Sequence, residues 1–110
     1  MDITVEQYGR AAVLRCKGEI TEDTVAPLVR DVQAQVAARV SDVVVDLSDV
    51  PFMDSSALET LLDLRDKLAG QSGQLTLAGV RDNLAKIFEI TRLENAFETV
   101  SDCLEAVKGL

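Results

Sequence analysis

The residues of this chain best placed to do chemistry lie in one run, Asp46-Leu47-Ser48-Asp49-Val50-Pro51-Phe52-Met53-Asp54-Ser55-Ser56-Ala57-Leu58. Here a carboxylate and two hydroxyls meet the start of an apolar helical pattern. The pattern predicts Asp54 as the N-cap, Ser55 as the first helical residue and Ser56 inside the first turn. A phosphate on Ser55 would face unpaired N–H groups and the positive end of the helix dipole, where an anion is well tolerated. The helix would persist, but about −1.5 to −2 charges would be added beside Asp54 and near Asp49. A surface fit for docking would then repel an acidic or apolar partner. Asp-Ser-Ser before an apolar run is also ordinary capping chemistry, and the tripeptide alone favours that reading. Phe52 and Met53 shift the balance, because a loop at this point should carry solvated polar residues. Their bland alternative is a hydrophobic staple onto the helix.

Other groupings carry less. Asp42, Asp46, Asp49 and Asp54 are spread over a strand and a loop, whereas magnesium ligands must converge, so solvated or capping roles are expected. Arg81, Lys86 and Arg92 could contact an acidic partner, yet isolated bases on a short helix are usually its wet face. Gly70 and Gly73 flank a turn and form no phosphate loop. Cys16 and Cys103 are far apart and outside any Cys-x-x-Cys pair, which predicts two reduced packing thiols. The absence of histidine removes the usual general base of a serine or cysteine nucleophile and the commonest zinc ligand. No metal and no cofactor is expected.

The elements that must position Ser55 can be read from periodicity. Two strands are expected over 3–8 and 11–17, joined by a hairpin at Gly9-Arg10. Val25, Leu28, Val29, Val32, Val36 and Val40 fall at the spacing of a buried helical face, with Thr24 as N-cap and Pro27 in the first turn. The β-branched run over 42–47 predicts a strand covered on both faces at the sheet centre. A helix over 55–69 follows, with Leu58, Leu61, Leu62 and Leu68 inward and Gly70 at C′. A strand over 74–78, a helix over 83–91 and an edge strand over 97–100 complete the sheet. Ser101 is expected to cap a closing helix whose inner face holds Cys103, Leu104 and Val107. The strand and helix alternation argues for an α/β sandwich, with helices packed mainly on one side of a mixed sheet.

Composition sets the class. At 110 residues and 47% hydrophobic content the chain is expected to be one domain over 1–110, able to fold without disulfides or metal. A net charge of −8 repels phosphate backbones and anionic headgroups, so nucleic acid and bare membrane are poor partners. The start, Met1-Asp2-Ile3-Thr4-Val5, lacks the basic patch and apolar run of a secretion signal, and no apolar stretch approaches membrane-spanning length. A cytoplasmic protein is expected.

The stretch Asp46-Leu47-Ser48 to Phe52-Met53-Asp54-Ser55-Ser56 closely resembles the signature of the bacterial anti-sigma factor antagonists, which are STAS domains. The likeness extends through Gly18-Glu19-Ile20, Gly73, and the Phe88 helix preceding Leu93 to Phe97. The resemblance implies a single STAS-type α/β domain, with a mixed sheet of about four to five strands and about four helices. It implies phosphorylation at Ser55, with Asp54 orienting the site and Ser56, Thr21, Phe52 and Met53 supporting it or binding the partner. It further implies that the unphosphorylated form binds an ATP-dependent serine kinase acting as anti-sigma factor, releasing a sigma factor, and that a serine phosphatase resets the switch. Two positions depart from the pattern. Thr21 stands where many members carry aspartate, and Ala57 replaces the usual glycine, which would place a methyl near the phosphosite. A different role for the same fold is a regulatory subunit of a membrane lipid or anion transporter. A nucleotide hydrolase is the enzymatic alternative, motivated only by the aspartates and loop hydroxyls.

Overall fold

The computed structural model describes residues 1–108, the side chains of Cys103 and Val107 excepted. Strands β1 (Asp2–Tyr8) and β2 (Ala11–Lys17) form the expected hairpin, pairing Tyr8 with Ala11 across a two-residue loop. Gly9 makes that loop at φ +63°, a left-handed conformation that costs glycine nothing. The chain continues as α1 (Ala26–Ala37), β3 (Asp42–Asp49), α2 (Ser55–Ala69), β4 (Gln74–Ala78), α3 (Asp82–Ile90), β5 (Glu98–Val100) and α4 (Cys103–Lys108). The five strands lie side by side in sequence order, β1 antiparallel to β2 and the other neighbours parallel. β3 is therefore the central strand, as its run of valines requires.

Alternation along the strands divides the core between the two faces of the sheet. Ala12, Leu14 and Cys16 of β2, Val43, Val45 and Leu47 of β3, and Leu75 and Leu77 of β4 bury against α1, α2 and α3. Val13, Val44 and Ala78 point the other way and meet Ala106 of α4. The helices thus lie mainly on one side, with the short α4 the exception.

Several local expectations are corrected. Thr24 does not cap α1. The cap position is Val25, which makes no side-chain cap bond, and the Thr24 hydroxyl is used inside the preceding loop. β3 runs two residues beyond the expected strand, to Asp49, because Lys17 pairs with Asp49 after a register shift in β2. Inward positions on α2 are Ala57, Leu58, Leu61, Leu64 and Leu68, and Leu62 is only partly buried at the margin. Gly70 keeps a right-handed φ of −64°, so the left-handed turn after α2 falls on Ser72 at φ +61°. Asp102, not Ser101, caps α4 by accepting from the Glu105 amide at 2.8 Å, its carboxylate being the better acceptor for an N-terminal amide. Leu104 is 60% exposed and Ala106 fills the inner position expected of it. The expectations for Cys103 and Val107 lie outside the described residues.

Candidate functional site

The connection from β3 to α2 leaves the carboxyl edge of a parallel sheet, where α/β folds tend to place their sites. Three contacts fix its path. The Val50 amide donates to Leu47 O at 3.0 Å, the Gly18 amide to Asp49 O at 3.0 Å, and Asn83 Nδ2 of α3 to Pro51 O at 3.1 Å. Next, Ile20 and Met53 form an isolated parallel bridge. In it the Ile20 amide donates to Phe52 O at 3.0 Å and the Asp54 amide to Ile20 O at 3.3 Å. The loop between β2 and α1 is thereby bound to the loop that carries the serines.

Asp54 is the N-cap of α2, at φ −87° and ψ 176°. One carboxylate oxygen accepts from the Ala57 amide at 2.9 Å, and the other accepts from the Glu22 amide at 2.9 Å. The Ala57 bond first and the Glu22 bond second hold the carboxyl below its ordinary range, so Asp54 is ionised at neutral pH. Ser55 is the first residue of α2 and is exposed, while Ser56 is half-buried with its carbonyl accepting from the Thr60 hydroxyl at 2.9 Å.

The expected exposed apolar pair divides. Phe52 is 38% exposed, but Met53 is 1% exposed and belongs to the core. The Ile20 bridge turns the Met53 side chain beneath the loop, which alternation across an extended segment makes unavoidable once Phe52 points out. Thr21 is half-buried, its amide donating to the Thr24 hydroxyl at 2.8 Å and its own hydroxyl accepting from the Asp23 amide at 3.3 Å. The Ala57 methyl does not crowd Ser55, because Ala57 is wholly buried and faces the core. A helix turns about 100° per residue, which places Ala57 away from Ser55's side of the axis.

The structure brings Asp54, Ser55, Ser56, Thr21 and Phe52 to one surface. Exposed Glu19, Glu22 and Asp23 flank them, giving the patch an acidic border. Glu22 and Asn83 escaped sequence reading because each acts across a gap in the chain, a backbone amide and a side chain that are both 32 residues from their acceptors, whereas Thr24, expected as a helix cap, serves the loop with its hydroxyl instead. Beside the loop lies an open cleft of about 380 Å³ whose lining includes Lys17, Ser48, Asp49, Pro51, Arg81 and Asn83. Among the described residues no three His, Cys, Asp or Glu side chains gather as metal ligands. No helix among them is long and apolar enough to cross a membrane.

The arrangement is an accessible hydroxyl at a helix start, beside an ionised carboxylate and an exposed aromatic. Known proteins resemble the chain as a whole. The model of the STAS domain family matches residues 2–106. An STAS-domain containing protein of Pseudomonas aeruginosa is 39% identical over 69 residues, 63% of this chain and 68% of that one. The anti-sigma-F factor antagonist RsfB of Mycobacterium tuberculosis is 31% identical over 110 residues, covering 97% of this chain and 89% of that one. The fold is similar to that of the anti-sigma factor antagonist SpoIIAA in its unphosphorylated form, with a TM-score of 0.76, 18% identity, and coverage of 99% of this chain and 100% of that one. The five-stranded mixed sheet, the whole-length likeness to RsfB and the match over residues 2–106 together show that this chain belongs to the STAS domain family, with the anti-sigma factor antagonists among its relatives.

Proposed function

We propose that the chain is an anti-sigma factor antagonist whose partner binding is switched by phosphorylation of Ser55. The observation that carries this reading is the exposure of Ser55 at the first position of α2, beside ionised Asp54 and half-exposed Phe52. Without phosphate, Phe52 and the uncharged Ser55 hydroxyl dock an apolar surface on an anti-sigma factor, which is also an ATP-dependent serine kinase. Sigma factor is released. Phosphate on Ser55 then adds negative charge at the middle of the docking surface. Because that charge sits on the helix N-terminus, it is accommodated locally and the sheet is left as it was.

Thr21 supports the reading despite departing from the family pattern, since its part in the loop is played by backbone and hydroxyl contacts that need no carboxylate. Ala57 supports it by being buried away from the serine. On this reading the protein works in the cytoplasm as one domain, performs no catalysis, needs no cofactor, and is reset by a serine phosphatase.

Incubation with the cognate kinase and ATP tests the switch. Phosphate is expected on the peptide containing Ser55 and absent from Ser55→Ala, and the phosphorylated chain should be lost from the kinase complex. Phosphate at another residue, or an undiminished complex, rejects it. Copurification with a membrane permease, unaffected by Ser55→Asp, would instead assign the fold to transporter regulation.

A further inference from the structure

The turn formed by Glu19, Ile20, Thr21, Glu22 and Asp23 delivers the Glu22 amide to Asp54, and one side chain closes that turn. The Thr24 hydroxyl accepts from the Thr21 amide at 2.8 Å and donates to Glu19 O at 2.9 Å, so the start and the middle of the segment are held by one oxygen. Backbone bonds complete the fold of the turn: the Thr24 amide to Thr21 O at 3.0 Å and the Val25 amide to Thr21 O at 2.8 Å. From this platform the Glu22 amide reaches the Asp54 carboxylate at 2.9 Å. Asp54 in turn precedes Ser55 and binds the first turn of α2 through Ala57.

We propose that Thr24 is a positioning residue for the Ser55 switch: its hydroxyl shapes the turn whose Glu22 amide fixes the Asp54 carboxylate beside the serine. The inference rests on the switch reading for its consequence, but not for its geometry. A carboxylate held by two amides from different loops has one orientation, whereas a carboxylate held by Ala57 alone can rotate about its remaining bond. The kinase then meets Ser55 beside a mobile charge and a loosened loop. Loss of productive geometry of this kind falls on the encounter and alignment of the hydroxyl with the phosphoryl donor, because Thr24 touches neither. The Ile20–Met53 bridge does not pass through the Thr24 side chain, so the loops stay joined when the hydroxyl is removed.

Thr24→Val keeps the branched shape and removes the hydroxyl's bonds to the Thr21 amide and Glu19 O together with its 3.5 Å contact to the Thr21 hydroxyl, while Thr24→Ser keeps the hydroxyl. In the full-length free protein, the Glu22 amide should exchange with solvent roughly fivefold faster in Thr24→Val, and within about twofold of the parent in Thr24→Ser. The Ile20 amide should not change in either. The Asp54 carboxyl carbon should shift in the NMR spectrum of Thr24→Val only. With the cognate kinase and ATP, kcat/KM for Ser55 should fall roughly fivefold in Thr24→Val and recover in Thr24→Ser. The proposal is overturned if Thr24→Val leaves the Glu22 amide and Asp54 carbon as in the parent. It is overturned equally if Thr24→Ser behaves like Thr24→Val, or if both free-protein signals move and phosphorylation does not. Absence of phosphate on Ser55 in the parent would reject the switch itself, and would be recognised as such because the parent alone decides it.

Discussion

The carboxylate of Asp54 accepts the backbone amide of Glu22 at 2.9 Å, joining two loops 32 residues apart at the foot of the helix that presents Ser55. That bond and its twin from Ala57 favour the ionised form, so the folded-state pKa lies below the unfolded one. The sign follows. Stabilisation from Asp54 is complete above the unfolded value, near about 3.9, and disappears as pH falls through the folded value. Urea midpoints of the parent and Asp54→Asn should therefore differ by a constant amount between about pH 5 and 8 and converge in stronger acid. A gap that widens on acidification would contradict the assignment.

Phe52 and Met53 are neighbours with opposite roles, and their alanine variants should separate binding from stability. Met53 is 1% exposed, so Met53→Ala should cost about 2–4 kcal/mol in denaturant unfolding. Phe52 is 38% exposed at the rim of the proposed docking surface. Phe52→Ala should cost under about 1 kcal/mol of stability, yet weaken the anti-sigma factor complex by about tenfold or more. Equal stability losses in the two variants would show that Phe52 is simply core.

Those two residues also mark where sequence reading stopped. Elements announced themselves, because valine runs, leucine spacing and the Gly9-Arg10 turn are local signals and no tertiary contact opposes them. Asp54 and Ser55 were legible as cap and first helical residue for the same reason. The burial of Met53 was not, since it depends on the bridge to Ile20, and no pattern within 46–58 records that pairing. Thr24 misled in the opposite direction: a hydroxyl just before an apolar helical run is a capping signal, but a tighter local turn took the hydroxyl first. Asp102 displaced Ser101 at α4 because two adjacent cap formers differ by one position, within the ordinary uncertainty of a helix end.

Charge at Ser55 should act on binding and not on folding. The residue is exposed and begins a helix, where an acidic side chain is favoured by the dipole. Ser55→Asp and Ser55→Ala should both unfold within about 0.5 kcal/mol of the parent. Ser55→Asp should nonetheless weaken the anti-sigma factor complex, and Ser55→Ala should keep it and resist dissociation by ATP. Surface plasmon resonance of both variants against the same partner checks this, and equal affinities would remove the charge mechanism.

Gly73 connects α2 to β4 at a point where a side chain has no room. A Cβ there would stand 2.4 Å from Ser41 O and 3.1 Å from Leu68 O, both backbone atoms that cannot swing aside. The Gly73 amide also closes the end of α2 on Leu68 O at 2.7 Å, and the next amide, Gln74, binds Ser41 O at 2.9 Å. Gly73→Ala must therefore push β4 from β3 at the first rung of their ladder. A loss of roughly 1–3 kcal/mol in thermal or denaturant unfolding is expected. A variant as stable as the parent would mean that the two strands part more easily than their register implies.

Cys16 tests how tightly the helical layer closes over the sheet. Its side chain is buried on the face of β2 covered by α1, α2 and α3, and burial raises the thiol to about 12, with smaller contributions from the charges of Asp46 and Asp31. The thiolate is the reactive species, and at pH 8 its fraction in the folded protein is on the order of one in ten thousand. Reaction with a disulfide reagent must then wait for the chain to open. In a Cys103→Ala background, which leaves Cys16 as the single thiol, labelling at pH 8 should follow the rate of unfolding and become fast in urea. Because the pKa is raised in the folded state, increasing pH toward 10 should speed labelling of the unfolded chain first, once its ordinary thiol, near about 8.5, has ionised. Labelling of the native protein within seconds at pH 8 would show instead that the layer over β2 admits solvent, and that the core assigned to Cys16, Leu14 and Ala12 is not closed.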